Sequence, residues 1–257
     1  VSAKEKLRQI KASVDTLTLT ATPIPRTLQF SLMGSRDLSV ISTAPPNRQP
    51  IITESHIFSD EIIRDAIEEE LARGGQVYFV HNRVEDLMAL QGQIQRLCPK
   101  ARVAVGHGRL QSEKLERLIM DFIYGEFDVL LATTIVENGI DIPNANTIII
   151  NNAHHYGLSD LHQLRGRVGR GEHKSTCILI SDAKGKTAQH RLKTMCRTTN
   201  GFEIADEDLK LRGPGDFFGA RQHGLPEMKI ADLSSDMELL KQAQRAAQET
   251  LSDDPAL

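Results

Sequence analysis

Residues 115–132 read LERLIMDFIYGEFDVLLA, and a change of rhythm inside that stretch decides the fold class. Leu115, Leu118, Ile119, Phe122 and Ile123 recur at intervals of three and four, which places them on one face of a helix. Gly125 stops the helix, and Asp128–Ala132 follows as a short apolar run of strand length. The same unit recurs upstream. Ile63, Ala66, Ile67 and Leu71 share a helical face that Gly74 and Gly75 terminate before the run Gln76–Val80. Leu87, Leu90, Ile94 and Leu97 do the same before Pro99 and the run Arg102–Val105. Further strands are expected over Val14–Leu19, Thr147–Ile150 and Thr176–Ile180. Strands alternating with amphipathic helices predict an α/β fold, with a parallel sheet covered by helices on both faces.

Composition narrows the function classes. The 257 residues are 40% hydrophobic and 25% charged, enough apolar material for a substantial core. With 31 basic and 34 acidic residues the net charge is -3, which excludes a uniformly cationic coat but leaves room for a local basic groove. Uninterrupted apolar runs such as Ile148–Ile150 are far too short for a transmembrane helix, so no membrane partner is expected. Cys98, Cys177 and Cys196 show no metal-type pairing, which argues against a disulfide framework or zinc site and fits a cytoplasmic protein. Val1–Lys11 carries charges throughout, unlike a signal peptide, and the lack of an initiator Met suggests a fragment.

Residues 43–50 (TAPPNRQP) hold three prolines in eight positions and make a plausible linker. The expected organisation is therefore the tail of one domain over 1–45, an α/β domain over 46–187 and a helical region over 188–257. In the last, helices are expected around Arg191–Cys196, Phe202–Leu211 and Met237–Leu251, with a break at Gly213-Pro214-Gly215.

Ligands of open α/β sheets sit beyond the carboxyl ends of the strands. The residues expected there are His81, Asn82 and Arg83, then Gly106, His107, Gly108 and Arg109, then Thr133, Thr134, Glu137, Asn138, Gly139 and Asp141. Hydroxyls, amides, glycines and arginines converging on one edge suit a phosphate-rich ligand; ordinary polar loops are the plainer explanation of any one of them. The stretch Gln163-Leu-Arg-Gly-Arg-Val-Gly-Arg170 adds Arg165, Arg167 and Arg170 among glycines. Arginine offers a permanently charged fork for phosphate oxygens. Arg167 and Arg170, three residues apart, are expected on one side of a helical turn, aimed into a nucleotide cleft at the sheet's ligand edge as arginine fingers. A solvated arginine face is the alternative.

Three apparent motifs fail. Gly185-Lys186-Thr187 ends like a phosphate-binding loop, but the position that would need the first glycine is Ile180. Asp60-Glu61 and Asp206-Glu207 follow no continuous apolar strand, as a magnesium-holding dipeptide would. His154 and His155 lack a third ligand at metal-like spacing, and no metal site is expected in the chain.

Thr20-Ala-Thr-Pro-Ile-Pro-Arg26, Ala132–Pro143 and Gln163–Arg170 resemble three ordered motifs of superfamily-two helicases, those numbered III, V and VI. Their wording, with Asp208–Gly215 and Gly219-Ala-Arg-Gln222, resembles the RecG and transcription-repair coupling factor branch. Gly34–Ser39 and Asn151–Gly157 read more like the coupling factor, and Gly171–Arg191 and Gly213–Lys229 more like RecG. The resemblance implies a RecA-like lobe followed by a translocation-motif helical hairpin. Two such lobes close on ATP and walk along duplex or branched DNA. It further implies that Gly139 and Asp141 belong to the ATP-coupling loop and that Gln163, Arg167 and Arg170 reach the nucleotide. Thr20, Thr22 and Arg26 would couple hydrolysis to DNA movement. Arg212 and Gln222 would lie at matched positions of the translocation motif, and His81, Asn82, Arg83, Thr133 and Thr134 would line DNA phosphates or the lobe interface. The ATP loop and the Mg²⁺ ligands would lie in a first lobe upstream of Val1, so this chain is expected to hold half an ATP site and to be inactive alone. RNA polymerase is an implied partner if the protein is coupling-factor-like. The alternative function is a non-enzymatic module that docks DNA or RNA polymerase.

Overall fold

The computed structural model describes residues 17, 19, 39, 41, 43, 49–133, 142, 144–169, 171, 173–212 and 237–253. Within them β1 (Ile52–His56), β2 (Gln76–Val80), β3 (Val103–Gly106), β4 (Val129–Ala132), β5 (Ala145–Ile150) and β6 (Thr176–Ile180) form one parallel sheet in the order β1-β6-β5-β2-β4-β3. The helices are α1 (Asp60–Ala72), α2 (Leu87–Leu97), α3 (Ser112–Ile123), α4 (Leu158–Arg165), α5 (Lys186–Arg197), α6 (Gly201–Arg212) and α7 (Met237–Asp253).

Alternation along the strands explains why both faces need helices. Val77, Phe79, Val129, Leu131, Ile149 and Ile178 point to one face, where Ile63 and Ile67 of α1 and Leu87, Leu90 and Ile94 of α2 cover them. Their neighbours Tyr78, Val80, Leu130, Ile148, Ile150 and Leu179 point the other way. There they meet Phe122 of α3, Leu158 and Leu161 of α4, Met195 of α5 and Ile204 of α6. Strands buried on both sides carry no polar alternation, which is why they read as continuous apolar runs.

The strands over Gln76–Val80 and Thr176–Ile180 are as the sequence predicts; those expected over Asp128–Ala132 and Thr147–Ile150 differ by one or two residues at the start, and that expected over Arg102–Val105 is displaced by one residue at both ends. β1 was not expected: Ile-Thr-Glu-Ser-His is, among the described strands, an edge strand that pairs with β6 alone and needs no apolar run. The strand expected over Val14–Leu19 lies outside the described residues, apart from Leu17 and Leu19, which are exposed. No described helix is long and apolar enough to cross a membrane.

The amino-terminal edge of the sheet is closed by a buried carboxylate. Glu70, 0% exposed, accepts hydrogen bonds from Thr147 Oγ1 (2.5 Å), Asn146 Nδ2 (3.2 Å) and Arg73 Nε (3.0 Å), and pairs with the Arg73 Nη2. Arg73 in turn donates to the Lys174 carbonyl at 3.1 Å, which fixes the approach to β6. Gly75 makes room for it, because a Cβ there would lie 1.8 Å from Glu70 Oε1.

Candidate functional site

The chain leaves β2 towards β3 on one side of the sheet and leaves β5 towards β6 on the other, so these neighbouring strands flank the switch point where ligands of this architecture bind. The residues that follow them touch. His81, 4% exposed, has Nδ1 3.2 Å from Asn151 Nδ2 and Nε2 3.3 Å from Asp86 Oδ2. The Asn151 Oδ1 accepts the Asn152 N–H at 2.9 Å, which orients the amide with its nitrogen towards the ring. His81 Nδ1 therefore accepts, and the proton sits on Nε2 facing Asp86. Asn152, in the left-handed conformation (φ 54°), donates from Nδ2 to Asn82 Oδ1 at 3.3 Å.

Beyond this buried seam the carboxyl edge carries exposed ion pairs. Arg83 and Arg109 are exposed and reach Asp86 (3.6 Å) and Glu85 (2.5 Å). The Glu85 backbone N–H and the Arg109 guanidinium hold the Glu85 carboxyl below its usual range. Exposed pairs of this kind contribute little, so a phosphate backbone can take over the guanidinium groups. The adjoining strand ends lie alongside: His81 N–H donates to Ala132 O at 2.9 Å and the buried Thr133 N–H to Gly106 O at 3.2 Å. On the other flank Ser181 Oγ accepts the Ala183 N–H (3.2 Å) and is hydrogen-bonded to His154 Nδ1 (2.9 Å). Arg191 holds the same turn through the Tyr156 (2.6 Å) and His154 (3.2 Å) carbonyls.

The arginine segment lies elsewhere. α4 ends at Arg165, Arg167 follows in a turn with its N–H on Leu164 O at 3.0 Å, and Gly169 has φ +81°. A Cβ on Gly169 would meet Ile51 Cγ1 at 2.8 Å and Ser175 Cβ at 3.9 Å, so the segment packs where β1 and β6 begin. Two expectations are thereby corrected. A left-handed residue between positions 167 and 170 rules out a shared α-helical turn, and the segment adjoins the amino-terminal rather than the carboxyl edge of the sheet. Arg165 does not face outward either: it is 2% exposed, on the buried stripe of Leu158, Leu161 and Leu164. Gln163 is exposed on α4 and Arg167 is half-buried.

Residues 60–172 match the helicase conserved C-terminal domain family, and residues 198–257 match the C-terminal part of domain 3 of ATP-dependent DNA helicase RecG. The transcription-repair-coupling factor of Bacillus subtilis is 49% identical over 249 residues, 95% of this chain and 21% of that protein. That of Escherichia coli is 45% identical over 249 residues, 95% of this chain and 22% of the relative. A solved structure of RecG bound to a three-way DNA junction superposes with a TM-score of 0.71 at 38% identity, covering 89% of this chain and 31% of that one. The chain belongs to the RecG and coupling-factor branch of superfamily-two helicases. It spans about a fifth of the length of the curated relatives it matches.

In this helicase lobe the sequence-derived residues His81, Asn82, Arg83 and Thr133 come together at the carboxyl edge, apart from Gln163 and Arg167 on α4 and its terminal turn. Thr20, Thr22, Arg26, Thr134, Gly139, Asp141, Arg170 and Gln222 lie outside the described residues, and Arg212 is the last residue of α6, its side chain not described. Gly185-Lys186-Thr187 is an exposed start of α5, and Asp60 and Glu61 open α1. Asp206-Glu207 instead sits inside α6, where Glu207 binds Lys210 and His190. Among the described residues no group of His, Cys, Asp and Glu could hold a metal ion. Sequence reasoning missed Asn151 as the partner of His81, although it follows a strand end by the same rule that singled out His81. It also missed the inward aim of Arg165, which Leu158 and Leu161 signal at helical spacing.

Proposed function

We propose that these residues form the second motor lobe and helical pair of an ATP-dependent double-stranded DNA translocase, a cytoplasmic protein acting in repair or fork remodelling. The observation that carries the reading is the likeness, over 89% of the chain, to a RecG chain bound to a three-way DNA junction. Two separate surfaces support it. The carboxyl edge, with Arg83 and Arg109 exposed around the His81–Asn151 seam, suits the DNA backbone, with Asn82 and Thr133 beside it; Thr134 is assigned to the same contact. The α4 segment, with Gln163, Arg167 and Arg170, suits the ATP phosphates, to which Gly139 and Asp141 couple. Guanidinium donors fit a polyphosphate, and in this reading the Mg²⁺ ligands belong to the first lobe. Thr20, Thr22 and Arg26 belong to the coupling path into that lobe, and Arg212 and Gln222 to the translocation motif. ATP bound between lobes supplies the free energy of phosphoryl transfer; the residues of this chain stabilise charge on the phosphates and hold the duplex.

Alone, the 257-residue chain binds DNA without hydrolysing ATP. Fluorescence anisotropy with branched and linear duplexes should show binding that weakens steeply with salt, because counterions are released from phosphates. Binding that ignores salt, or none, sinks the DNA assignment. Phosphate release above about 1 s⁻¹ in the presence of DNA sinks the half-site assignment.

A further inference from the structure

Arg165 stands on the arginine segment but serves the interior. Its Nη1 donates to the Met195 carbonyl at 2.7 Å and the Thr198 carbonyl at 2.9 Å, and lies 3.4 Å from Thr53 Oγ1 of β1. Its Nη2 lies 3.2 Å from His162 Nδ1. Met195 and Thr198 belong to the last turn and cap of α5, where carbonyls lack intrahelical donors and the helix dipole is negative. At the opposite end of α4, Ser159 Oγ donates to Asp208 Oδ2 of α6 at 3.1 Å. The connector between α5 and α6 is braced locally as well: Asn200 N–H donates to Thr198 Oγ1 at 3.1 Å, and Asn200 Oδ1 accepts the Phe202 N–H at 3.0 Å. α4 is thus tied to the α5–α6 pair at both ends, with the heavier tie next to Arg167.

We propose that Arg165 is a positioning residue that transmits displacement of the Arg167 turn to the α5–α6 pair, so that the pair follows α4 as a rigid body instead of the connector absorbing the motion. The inference rests on the motor reading above. A guanidinium suits the task because the two N–H groups of Nη1 serve the two carbonyls in directions fixed by the plane, while Nη2 lies beside His162; an ammonium keeps the charge and the donors but not the fixed plane or the second nitrogen, and a thioether donates to neither carbonyl. Arg165 acts through Arg167 and α5, its own side chain being enclosed.

The test is made in the complete translocase that contains these residues, comparing wild type, Arg165→Met and Arg165→Lys. DNA-stimulated ATP turnover and base pairs travelled per ATP are measured by phosphate release and triplex displacement. For Arg165→Met, turnover should stay within about threefold of wild type. Distance per ATP should fall about tenfold, with Arg165→Lys in between. General structural damage would lower the active fraction and cut both rates equally, leaving the ratio unchanged, so an unchanged ratio overturns the proposal. Should Arg165→Met not be recovered folded, Arg165→Lys carries the test alone: a fall in distance per ATP supports the coupling, and an unchanged ratio overturns it. A wild type that fails to translocate defeats the motor reading itself, whereas a translocating wild type with unaltered variants defeats only the role of Arg165.

Discussion

His81 Nδ1 accepts from Asn151 Nδ2 at 3.2 Å across the seam where the connections leaving β2 and β5 diverge. The bond joins two neighbouring strands at their carboxyl ends, and through Asp86 and Asn152 it sets the course of the loop carrying Asn82 and Arg83. Replacing Asn151 by leucine leaves the buried ring nitrogen without a donor, at a cost of about 1–3 kcal/mol. Asn151→Leu should lower the urea midpoint accordingly and weaken DNA binding, with far-ultraviolet circular dichroism unchanged. Unaltered stability would show that the seam is not a structural bond.

Gly74 and Gly169 make a controlled pair for the second prediction. Both have positive φ, +73° and +81°, but a Cβ on Gly74 meets nothing within 4 Å, whereas one on Gly169 meets Ile51 Cγ1 at 2.8 Å. Gly74→Ala should cost only the left-handed penalty, about 1–2 kcal/mol. Gly169→Ala should cost that plus the displacement of Ile51, about 1–3 kcal/mol more. Equal midpoints for the two variants in chemical denaturation would contradict the packing at the start of β1.

The sheet was legible because strands buried on both faces must be apolar throughout, as Gln76–Val80 and Thr176–Ile180 nearly are, and because helices covering them repeat at three and four. β1 escaped because an edge strand is released from that demand. The site was half legible. A strand end announces itself by sequence position, so His81, Asn82, Arg83 and Thr133 could be picked out. The direction of an arginine after a short helix depends on where the helix stops, and Gly169, in the left-handed region, breaks the helical path after Arg167. Arginine-rich spelling alone could not show that Arg165 turns inward to cap α5.

Glu70 carries the third prediction. Its carboxylate is enclosed and holds Arg73, Thr147 and Asn146 together, and Arg73 passes the constraint to Lys174. Glu70→Ala leaves the Thr147 hydroxyl and Asn146 amide short of an acceptor, while Arg73 can still reach water. We expect a loss of about 2–4 kcal/mol, at or below the range for breaking a fully buried pair. Thermal or urea unfolding measures it, and a change within experimental error would remove Glu70 from the framework.

His154 makes the fourth. Burial, with the nearby His155 ring at 4.2 Å, holds its pKa below the ordinary 6.5, Asp182 opposing and Arg191 assisting. The folded state thus binds the proton less readily than the unfolded chain, so stability from this site is whole above about 6.5 and declines as pH falls below it. Proton-detected titration of the ring should give a midpoint under 6.5. In urea melts, His154→Gln should make the loss of stability between neutral and mildly acidic pH shallower. A midpoint above the ordinary value would mean that Asp182, not burial, governs the ring.

Arg167 decides between a motor lobe and a docking module. It lies in the turn that ends α4, half-buried, next to the left-handed Gly169 and on the far side of the lobe from the His81 seam. If that turn faces ATP, Arg167→Ala in the complete translocase removes charge stabilisation at the transferring phosphoryl group and should cut DNA-stimulated turnover by about 10³-fold or more, as loss of an arginine finger does. DNA affinity should stay within about twofold, because the phosphate contacts assigned to the carboxyl edge are untouched. If the lobe only docks DNA or RNA polymerase, turnover survives and association with the partner fails instead. The two outcomes are exclusive because the surfaces are spatially separate: a residue beside the start of β1 and β6 cannot replace Arg83 or Arg109 on the duplex, nor can those exposed guanidiniums reach a nucleotide held at α4.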